Sequence, residues 1–265
     1  MKNESTKTGL VGFFDILGYQ NLLERNEPEK IAEDVIPILT NIGVTVQKII
    51  DEFHNLIISA IKVNRKTSKE KDFLAYIDKQ HKKIIKAMRW LVFSDTVLLA
   101  LPIDEKDSTI VYSSWLMFLI ATIALQTNLF RAGLPTRGAI DYGKFFIKDT
   151  CFAGRTIVTA YQLCSQIELS ACVFSEVAAK EFIRLDMADH WLGMLVVEYL
   201  VPMKSGEKHL LAVMTNTYDL DSKDIHGDVM RAFWANKKDI SLSARQKAQN
   251  TEQWLEFLKY RLKKK

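Results

Sequence analysis

An acidic residue ends an apolar, strand-like run near the start of the chain. The six residues before it, Gly9 to Phe14, are apolar and aromatic, which is typical of a buried β-strand. Asp15 follows directly, and Gly18 comes shortly after it. A carboxylate at the end of a buried strand is unfavourable unless a cation or hydrogen bonds compensate its charge. The chain is therefore expected to fold so that Asp15 faces such a partner.

A second acid occurs in a similar context. Residues 83–102 contain two apolar runs that meet at Ser94 and Asp95, which predicts a β-hairpin with its acid near the turn. If the first strand and this hairpin lie side by side, both carboxylates meet at one edge of the sheet. Two close carboxylates repel each other unless cations lie between them, and Mg²⁺ or Mn²⁺ would bind through oxygen ligands. The alternative is that Asp15 is a helix cap and Asp95 a turn residue.

The order of apolar patterns predicts an α+β fold. The predicted elements are a strand over about 9–15, helices to about 62, the hairpin over 83–102, a long helix over 104–133, a strand over 134–147, a helix after Gly154, a short strand over 171–175, a further helix and a strand pair within 191–216. This order is that of a ferredoxin-like core, a mostly antiparallel sheet with helices on one face. A C-terminal helical appendage completes the prediction.

Length and composition favour one domain with additions. A chain of 265 residues can bury a full core. We expect a catalytic domain over 1–220, in which a charged helical insertion covers about 62–86. A C-terminal helical extension over 221–265 follows, with Trp234 and Trp254 as expected anchors.

Charge and cysteine usage restrict the partners. The net charge of +4 is mild, and the basic runs lack the interleaved aromatic residues of a nucleic-acid site, so no nucleic acid is expected. Three cysteines without a CxxC pair predict neither disulfides nor a zinc site, which indicates a cytoplasmic protein.

The longest apolar run, 115–125, is too short to cross a bilayer, so no membrane segment is expected.

Four motifs, taken in chain order, resemble those of class III nucleotidyl cyclases. They are "FFDILGY", "FSDTV", "RGAIDYG" and "AGRTIVTAYQL", and the resemblance covers about residues 9–176. It implies that Asp15, the Ile16 carbonyl and Asp95 bind two Mg²⁺ or Mn²⁺ ions per active site. It also implies that Arg137 touches phosphate or braces the site. Active sites of this family form between two subunits, so a homodimer is implied.

The remaining candidate residues concern the substrate. Gly18 allows a tight turn after the first strand, and the loop of Ile16, Leu17, Gly18 and Tyr19 is expected to hold a triphosphate through its amides. Tyr19 could also stack on a base, although such tyrosines more often pack. By the resemblance, Leu91 and Cys151 occupy the positions where purine cyclases select their base, and leucine cannot read a purine edge by hydrogen bonds.

Two further positions depart from the family. The asparagine and arginine that steady the transition state are replaced by Val158 and Gln162. The loss of a charged donor is expected to lower the rate strongly unless another group replaces it. Arg155, or a lysine from the basic segment over 62–89, is the candidate replacement.

These departures resemble the divergent bacterial branch that includes the pyrimidine cyclases of antiphage (Pycsar-type) defence. The resemblance implies cyclisation of CTP or UTP to a 3′,5′-cyclic monophosphate and pyrophosphate, and a downstream effector that senses the product. The choice between cytosine and uracil stays open. Two alternatives remain: a degenerate cyclase fold that only binds a nucleotide or dimerises, and an ATP or GTP cyclase with rebuilt base selectors.

Overall fold

A computed structural model describes most of the chain. The described residues are 6–63, 68–104, 106–148, 151–187, 191–215, 224–238 and 241–264. Their strands are β1 (Lys7–Ile16), β2 (Arg89–Phe93), β3 (Thr96–Pro102), β4 (Thr136–Lys148), β5 (Cys151–Ala153), β6 (Cys172–Phe174), β7 (Val196–Met203) and β8 (Gly206–Val213). Their helices are α1 (Tyr19–Arg25), α2 (Pro28–Asp34), α3 (Ile36–Val63), α4 (Ser68–Ala87), α5 (Ser108–Arg131), α6 (Arg155–Gln166), α7 (Glu176–Arg184), α8 (Ile225–Trp234) and α9 (Leu242–Lys263).

The strands form one mixed sheet that is mostly antiparallel. Their order is β2-β3-β1-β4-β6-β8-β7, and β5 pairs with the end of β4. Among the described pairs, β4 and β6 run parallel and the others antiparallel. The segment β2-β3-β1-β4 has the strand order of a ferredoxin-like core. The predicted α+β fold with a mostly antiparallel sheet and C-terminal helices is therefore confirmed.

The larger core lies between the sheet and a helical layer. Alternate residues of β1, such as Leu10 and Phe14, face this layer, because successive strand residues point to opposite faces. Trp115 of α5 is fully buried there against Phe174 and Phe182. This face is covered mainly by α3, α4, α5 and α7.

Helices also cover the second face of the sheet, which corrects the expectation that they lie on one face only. Val173 and Val197 point away from the larger core and pack with residues of α6, α8 and α9. Trp254 and Leu258 of α9 are fully buried in this second cluster, so the C-terminal helices are held by apolar burial. Trp234, the other expected anchor, is half-buried at its edge.

Helix α5 is longer than its most apolar run suggested. It spans 24 residues and, among the described helices, it is long and apolar enough to cross a membrane by length and composition. The apolar run over 115–125 is too short to cross a bilayer, but the whole of α5 is long enough. However, 72% of its most apolar window is buried inside the protein, as in a core helix.

Residues 68–87 of the charged segment before the hairpin form α4, which is not exposed throughout, and residues 64–67 of the expected insertion lie outside the described residues. One side of α4 packs against α3 and α5 through buried residues that include Leu74, His81 and Ile84. The hairpin consequently begins at Arg89 rather than at residue 83, because 83–87 continue the buried stripe of α4.

A chain of polar side chains is buried where α3, α4 and α5 meet. His54 Nδ1 lies 2.9 Å from His81 Nδ1, His54 Nε2 lies 2.8 Å from Asp78 Oδ1, and His81 Nε2 lies 3.1 Å from Ser113 Oγ. Asp78 also pairs with Lys82 at 2.8 Å. The two facing Nδ1 atoms can share one proton only. His54 and His81 therefore cannot both be protonated to imidazolium while this hydrogen bond is kept.

We predict that this histidine pair makes the fold sensitive to acid. Burial, together with the charge of His54, lowers the pKa of His81 from 6.5 to about 4. At a pH between these two pKa values, His81 is protonated in the unfolded chain but not in the folded chain. The free energy of unfolding therefore falls as the pH drops through this range. The expected loss between pH 7 and pH 5 is about 1–2 kcal/mol, measured by urea denaturation.

The variant His81→Phe should have lower stability at both pH values but a flatter pH dependence. His209→Asn, which changes an exposed histidine of β8, should keep the slope of the wild type. An unchanged slope in His81→Phe would refute this account of the pair.

Candidate functional site

Backbone pairing brings the two predicted aspartates to one end of the sheet. Asp15 is the penultimate residue of β1, where it lies opposite Thr96 of β3 on one side and Arg137 of β4 on the other. Asp95 occupies the turn between β2 and β3 directly before Thr96. The amide of Ile16 donates a hydrogen bond of 2.9 Å to the Asp95 carbonyl oxygen, which fixes the hairpin turn to the end of β1.

Arg137 braces Asp15. Its Nε donates to Asp15 Oδ2 at 2.7 Å, and its Nη1 donates to the carbonyl oxygens of Ser165 and Ile167 at 3.1 and 3.2 Å. The Asp15 and Arg137 side chains are only 22% and 15% exposed. The ion pair is therefore shielded from water, and the guanidinium is held by the end of α6 as well as by the carboxylate.

The environment of Asp15 favours a cation nearby. Burial raises its pKa above the ordinary value, Arg137 acts in the opposite direction, and the charge of Asp95 raises the pKa again. The net direction is upward even though Arg137 is paired with the carboxylate. Asp15 and Asp95 thus lie close enough to repel each other, and further positive charge would relieve that repulsion.

The loop after β1 is tightly held. The Leu17 amide donates to the Pro135 carbonyl oxygen at 2.8 Å, and Gly18 has a φ of 76°, a left-handed conformation that favours glycine. Tyr19 is only 5% exposed and packs in the larger core, so its ring is not available to stack on a base. Its pKa is raised by burial and by the charge of Asp95, which places the phenol near the acids.

A cavity of about 440 Å³ opens at this point. Its lining combines the predicted loop and acids with residues of the C-terminal part of the chain: Asp15, Ile16, Leu17, Gly18, Tyr19, Gln20, Asn21, Glu24, Asp95, Arg137, Phe233, Lys238, Ser241, Ser243, Ala244 and Lys247. Carboxylates and cationic groups thus share one concave surface, which is typical of a binding site.

The donors of this cavity fit a divalent ion bound together with a ligand. Asp15 and Asp95 supply hard carboxylate oxygens to the same cavity. The described residues contain no cluster of three or more histidine, cysteine or acidic side chains placed to hold a metal alone. Mg²⁺ usually binds through one or two carboxylates plus substrate phosphates, and that donor set matches this site.

Three predicted substrate residues do not line the cavity of their own chain. Leu91 lies on β2 and packs with a small apolar cluster on the second face of the sheet. Cys151 is exposed and pairs with Lys148, at the far end of β4 from Arg137. Arg155 is exposed in the first turn of α6. Cys151 and Arg155 follow the far end of β4, whereas Leu91 lies within β2 at the edge of the sheet, so none of the three reaches the acids of its own chain.

Positions 158 and 162 lie on the solvent-facing side of α6. Val158 is 51% exposed and Gln162 is also exposed, whereas Thr156 and Ala160 face the sheet. Neither residue borders the cavity.

No sequence pattern predicted the lysines around the acids. Lys204, in the turn between β7 and β8, lowers the pKa of Asp15 through its charge. Lys238 and Lys247 reach the cavity from the C-terminal segment, which was expected only to append helices. No local motif marks these lysines, because their position depends on how α8 and α9 pack on the sheet. The apolar face of α9 was the one available signal that this segment is tied to the core.

Comparison with known proteins finds similar solved structures. No protein-family model and no curated protein matches the sequence. The guanylyl cyclase Cya2 is similar over 80% of this chain and 94% of its own, with 11% identity and a TM-score of 0.42. The catalytic core of a rhodopsin-guanylyl cyclase with converted specificity, in complex with ATPαS, is similar over 80% and 97%, with 10% identity and a TM-score of 0.44. A bacterial light-regulated adenylyl cyclase is similar over 95% and 57%, with 12% identity and a TM-score of 0.43.

We predict that Arg137 stabilises the end of β1. The variant Arg137→Gln should lower the free energy of unfolding by about 2 kcal/mol, because it leaves a half-buried carboxylate and two carbonyl oxygens without their donor. The pKa of Asp15, followed by NMR, should rise further. Arg155→Gln removes an exposed arginine and should change the stability by less than about 0.5 kcal/mol. Equal stability of the two variants would contradict the bracing role.

Proposed function

We propose that this protein is a nucleotide cyclase that converts CTP or UTP to the 3′,5′-cyclic monophosphate and pyrophosphate. The observation that carries the proposal is the meeting of Asp15 and Asp95, eighty positions apart in the chain, in one cavity with Arg137 and lysines. A structural role alone does not explain why two carboxylates share one concave surface. Three of the four motifs that resemble those of class III cyclases supply Asp15, Asp95 and Arg137 to this cavity.

The proposed reaction is an internal displacement at the α-phosphate. The 3′-oxygen forms a bond to the α-phosphorus, and the hydroxyl proton is released to water. The bond between the α-phosphorus and the oxygen that bridges it to the β-phosphorus breaks, and pyrophosphate leaves with that electron pair. Two divalent ions held by Asp15, the Ile16 carbonyl and Asp95 would stabilise the attacking oxygen and the charge on the phosphates. Arg137 keeps Asp15 in place, and the loop at Gly18 allows phosphate to approach the backbone.

A pyrimidine base is proposed from the absence of purine-reading groups. Leu91 packs with apolar neighbours on the sheet, and its side chain has no hydrogen-bonding atom. Cys151 offers only a weak donor at the other selector position. A smaller base suits a pocket with few polar contacts, whereas a purine cyclase would need selectors rebuilt elsewhere.

A homodimer is proposed because one chain leaves the site incomplete. Leu91 and Cys151 lie away from the acids of their own chain, so they would contact the base only if they belong to a second copy. The outer side of α6 supports such an interface, because Val158 and Tyr161 are 51% and 53% exposed and Phe93, at the hairpin tip, is 75% exposed. Exposed apolar side chains grouped on one surface are typical of interaction sites.

The proposed product is a cytoplasmic second messenger in antiphage defence, which a separate effector would sense. The motif resemblance to pyrimidine cyclases supports this role. A second candidate function is a degenerate cyclase fold that binds a nucleotide without turnover. Val158 and Gln162 favour it, because neither side chain can replace a charged transition-state group.

We predict metal-dependent turnover of pyrimidine nucleotides. The protein is incubated with CTP, UTP, ATP or GTP and Mn²⁺, and the products are identified by mass spectrometry. Cyclic CMP or cyclic UMP should form, and Asp15→Asn and Asp95→Asn should each lower the rate by about 100-fold or more, since each removes a charged ligand. Asp104→Asn, in an exposed loop, should keep the wild-type rate.

Three other results would decide against this function. No cyclic product from any nucleotide, with nucleotide-dependent thermal stabilisation, would favour the binding module. Preferred turnover of ATP or GTP would indicate a purine cyclase with rebuilt selectors. Equal activity of Asp15→Asn and the wild type would remove the basis of the proposal.

We also predict that α6 lies in the dimer interface. Val158→Glu places a charge on its outer side and should shift sedimentation from dimer toward monomer, with loss of turnover. Val44→Glu makes the same change at a 71% exposed position of α3, on the opposite side of the sheet, and should leave the dimer intact. A wild-type protein that is monomeric while active would contradict a shared site.

A further inference from the structure

The cavity beside Asp15 has two walls of opposite charge. One wall carries Asp15 and Asp95, at the ends of β1 and the hairpin. The other comes from the C-terminal segment, here residues 233–238 and 241–247, and is defined by Phe233, Lys238, Ser241, Ser243, Ala244 and Lys247. The proposed reaction assigns no role to the residues of this second wall. Two of its side chains are cationic and two carry hydroxyl groups, which suits an anionic group.

Lys238 is built into this wall. It is only 6% exposed, and its Nζ donates to the carbonyl oxygens of Gly133 and Ala232 at 2.6 and 3.1 Å. A side chain at Gly18 would place its Cβ 3.4 Å from Lys238 Cδ, so the lysine stem lies directly on the loop after β1. Both hydrogen-bond partners are uncharged, and burial lowers the pKa of the amine to about 7. An anion in the cavity would favour the charged amine.

Lys247 adds a second cation from α9. Its side chain is 18% exposed, and its Nζ donates to Ser243 Oγ at 2.6 Å and lies 3.4 Å from Glu168 Oε2. The same wall contains the start of α9, where Ser241 Oγ accepts from the Ala244 amide at 3.1 Å. This helix has 22 residues, so its N-terminal end contributes further positive potential to the wall.

The geometry points to a polyphosphate site in which the C-terminal segment binds the β- and γ-phosphates of the nucleotide held by the same chain. A polyphosphate with divalent ions is the ligand that uses both walls, since the acids take the ions and the lysines take the phosphate oxygens. Lys247 is assigned as a phosphate ligand, and Lys238 as a ligand that also holds the Gly18 loop. This inference rests on the proposed function, and it supplies a positive charge that is missing from position 162, where the resemblance implies an arginine.

The test measures the binding of inorganic pyrophosphate, with Mn²⁺, by titration calorimetry. Lys247→Gln should weaken binding by about tenfold or more and raise the KM for the nucleotide, while Lys247→Arg keeps the charge and should restore most of the affinity. Arg245→Gln is the matched control, because it removes an exposed cation from the same helix at a position outside the cavity. Its affinity should equal that of the wild type.

A folding defect can be separated from lost binding. Because Lys247 faces Glu168, the single variant leaves that carboxylate unpaired, and Glu168→Gln/Lys247→Gln removes both charges. The double variant should recover the thermal stability of the wild type but not its pyrophosphate affinity. If it recovers both, or if Lys247→Gln binds pyrophosphate as Arg245→Gln does, the inference is wrong.

The outcome is distinguishable from failure of the cyclase proposal. Pyrophosphate binding that depends on Lys247, without any cyclic product, would support the phosphate site and overturn the reaction. Cyclic product with a KM that is unaffected in Lys247→Gln would support the reaction and overturn the phosphate site. Absence of pyrophosphate binding by the wild type would also overturn the site.

Discussion

The buried carboxylate of Asp15 is the constraint around which the rest of this structure is arranged. It ends the central strand, it is bridged by Arg137 from β4, and it lies beside Asp95 in the hairpin turn. Even with the arginine in place, burial and the neighbouring acid raise its pKa. Two neighbouring acids, one of them only 22% exposed, are unfavourable for folding alone, and a bound cation would compensate their charge.

Much of this arrangement follows from the sequence because it is local or depends on neighbouring strands. The continuous apolar run before Asp15 predicts β1, and the polar pair at Ser94 and Asp95 predicts the hairpin turn. Pro28 at the first position of α2 and Gly18 at the turn have local conformational reasons. Once the ferredoxin-like order is known, pairing brings the two acids to one edge.

Other features depend on long-range packing and could not be predicted. The charge density of α4 concealed a buried stripe with a histidine pair, since a polar composition does not show which side of a helix faces the core. Likewise, Lys238 reaches Gly18 only because α8 and α9 pack on the second face of the sheet through Trp254 and its neighbours. The separation of Cys151 from the acids reflects the length of β4, and that of Leu91 its place on the edge strand β2, neither of which the motif spacing reveals. A shared site in a homodimer would reconcile this separation with their proposed roles.

The central claim is that Asp15 and Asp95 jointly bind divalent ions on which a nucleotide is held. The most direct measurement is a crystal structure with Mn²⁺ and 3′-deoxy-CTP, which lacks the attacking hydroxyl, using anomalous scattering to locate the metal. The account predicts manganese peaks within coordination distance of both carboxylates, with the phosphates between the acids and Lys247. Manganese bound elsewhere, or to one acid while the other faces away, would contradict it.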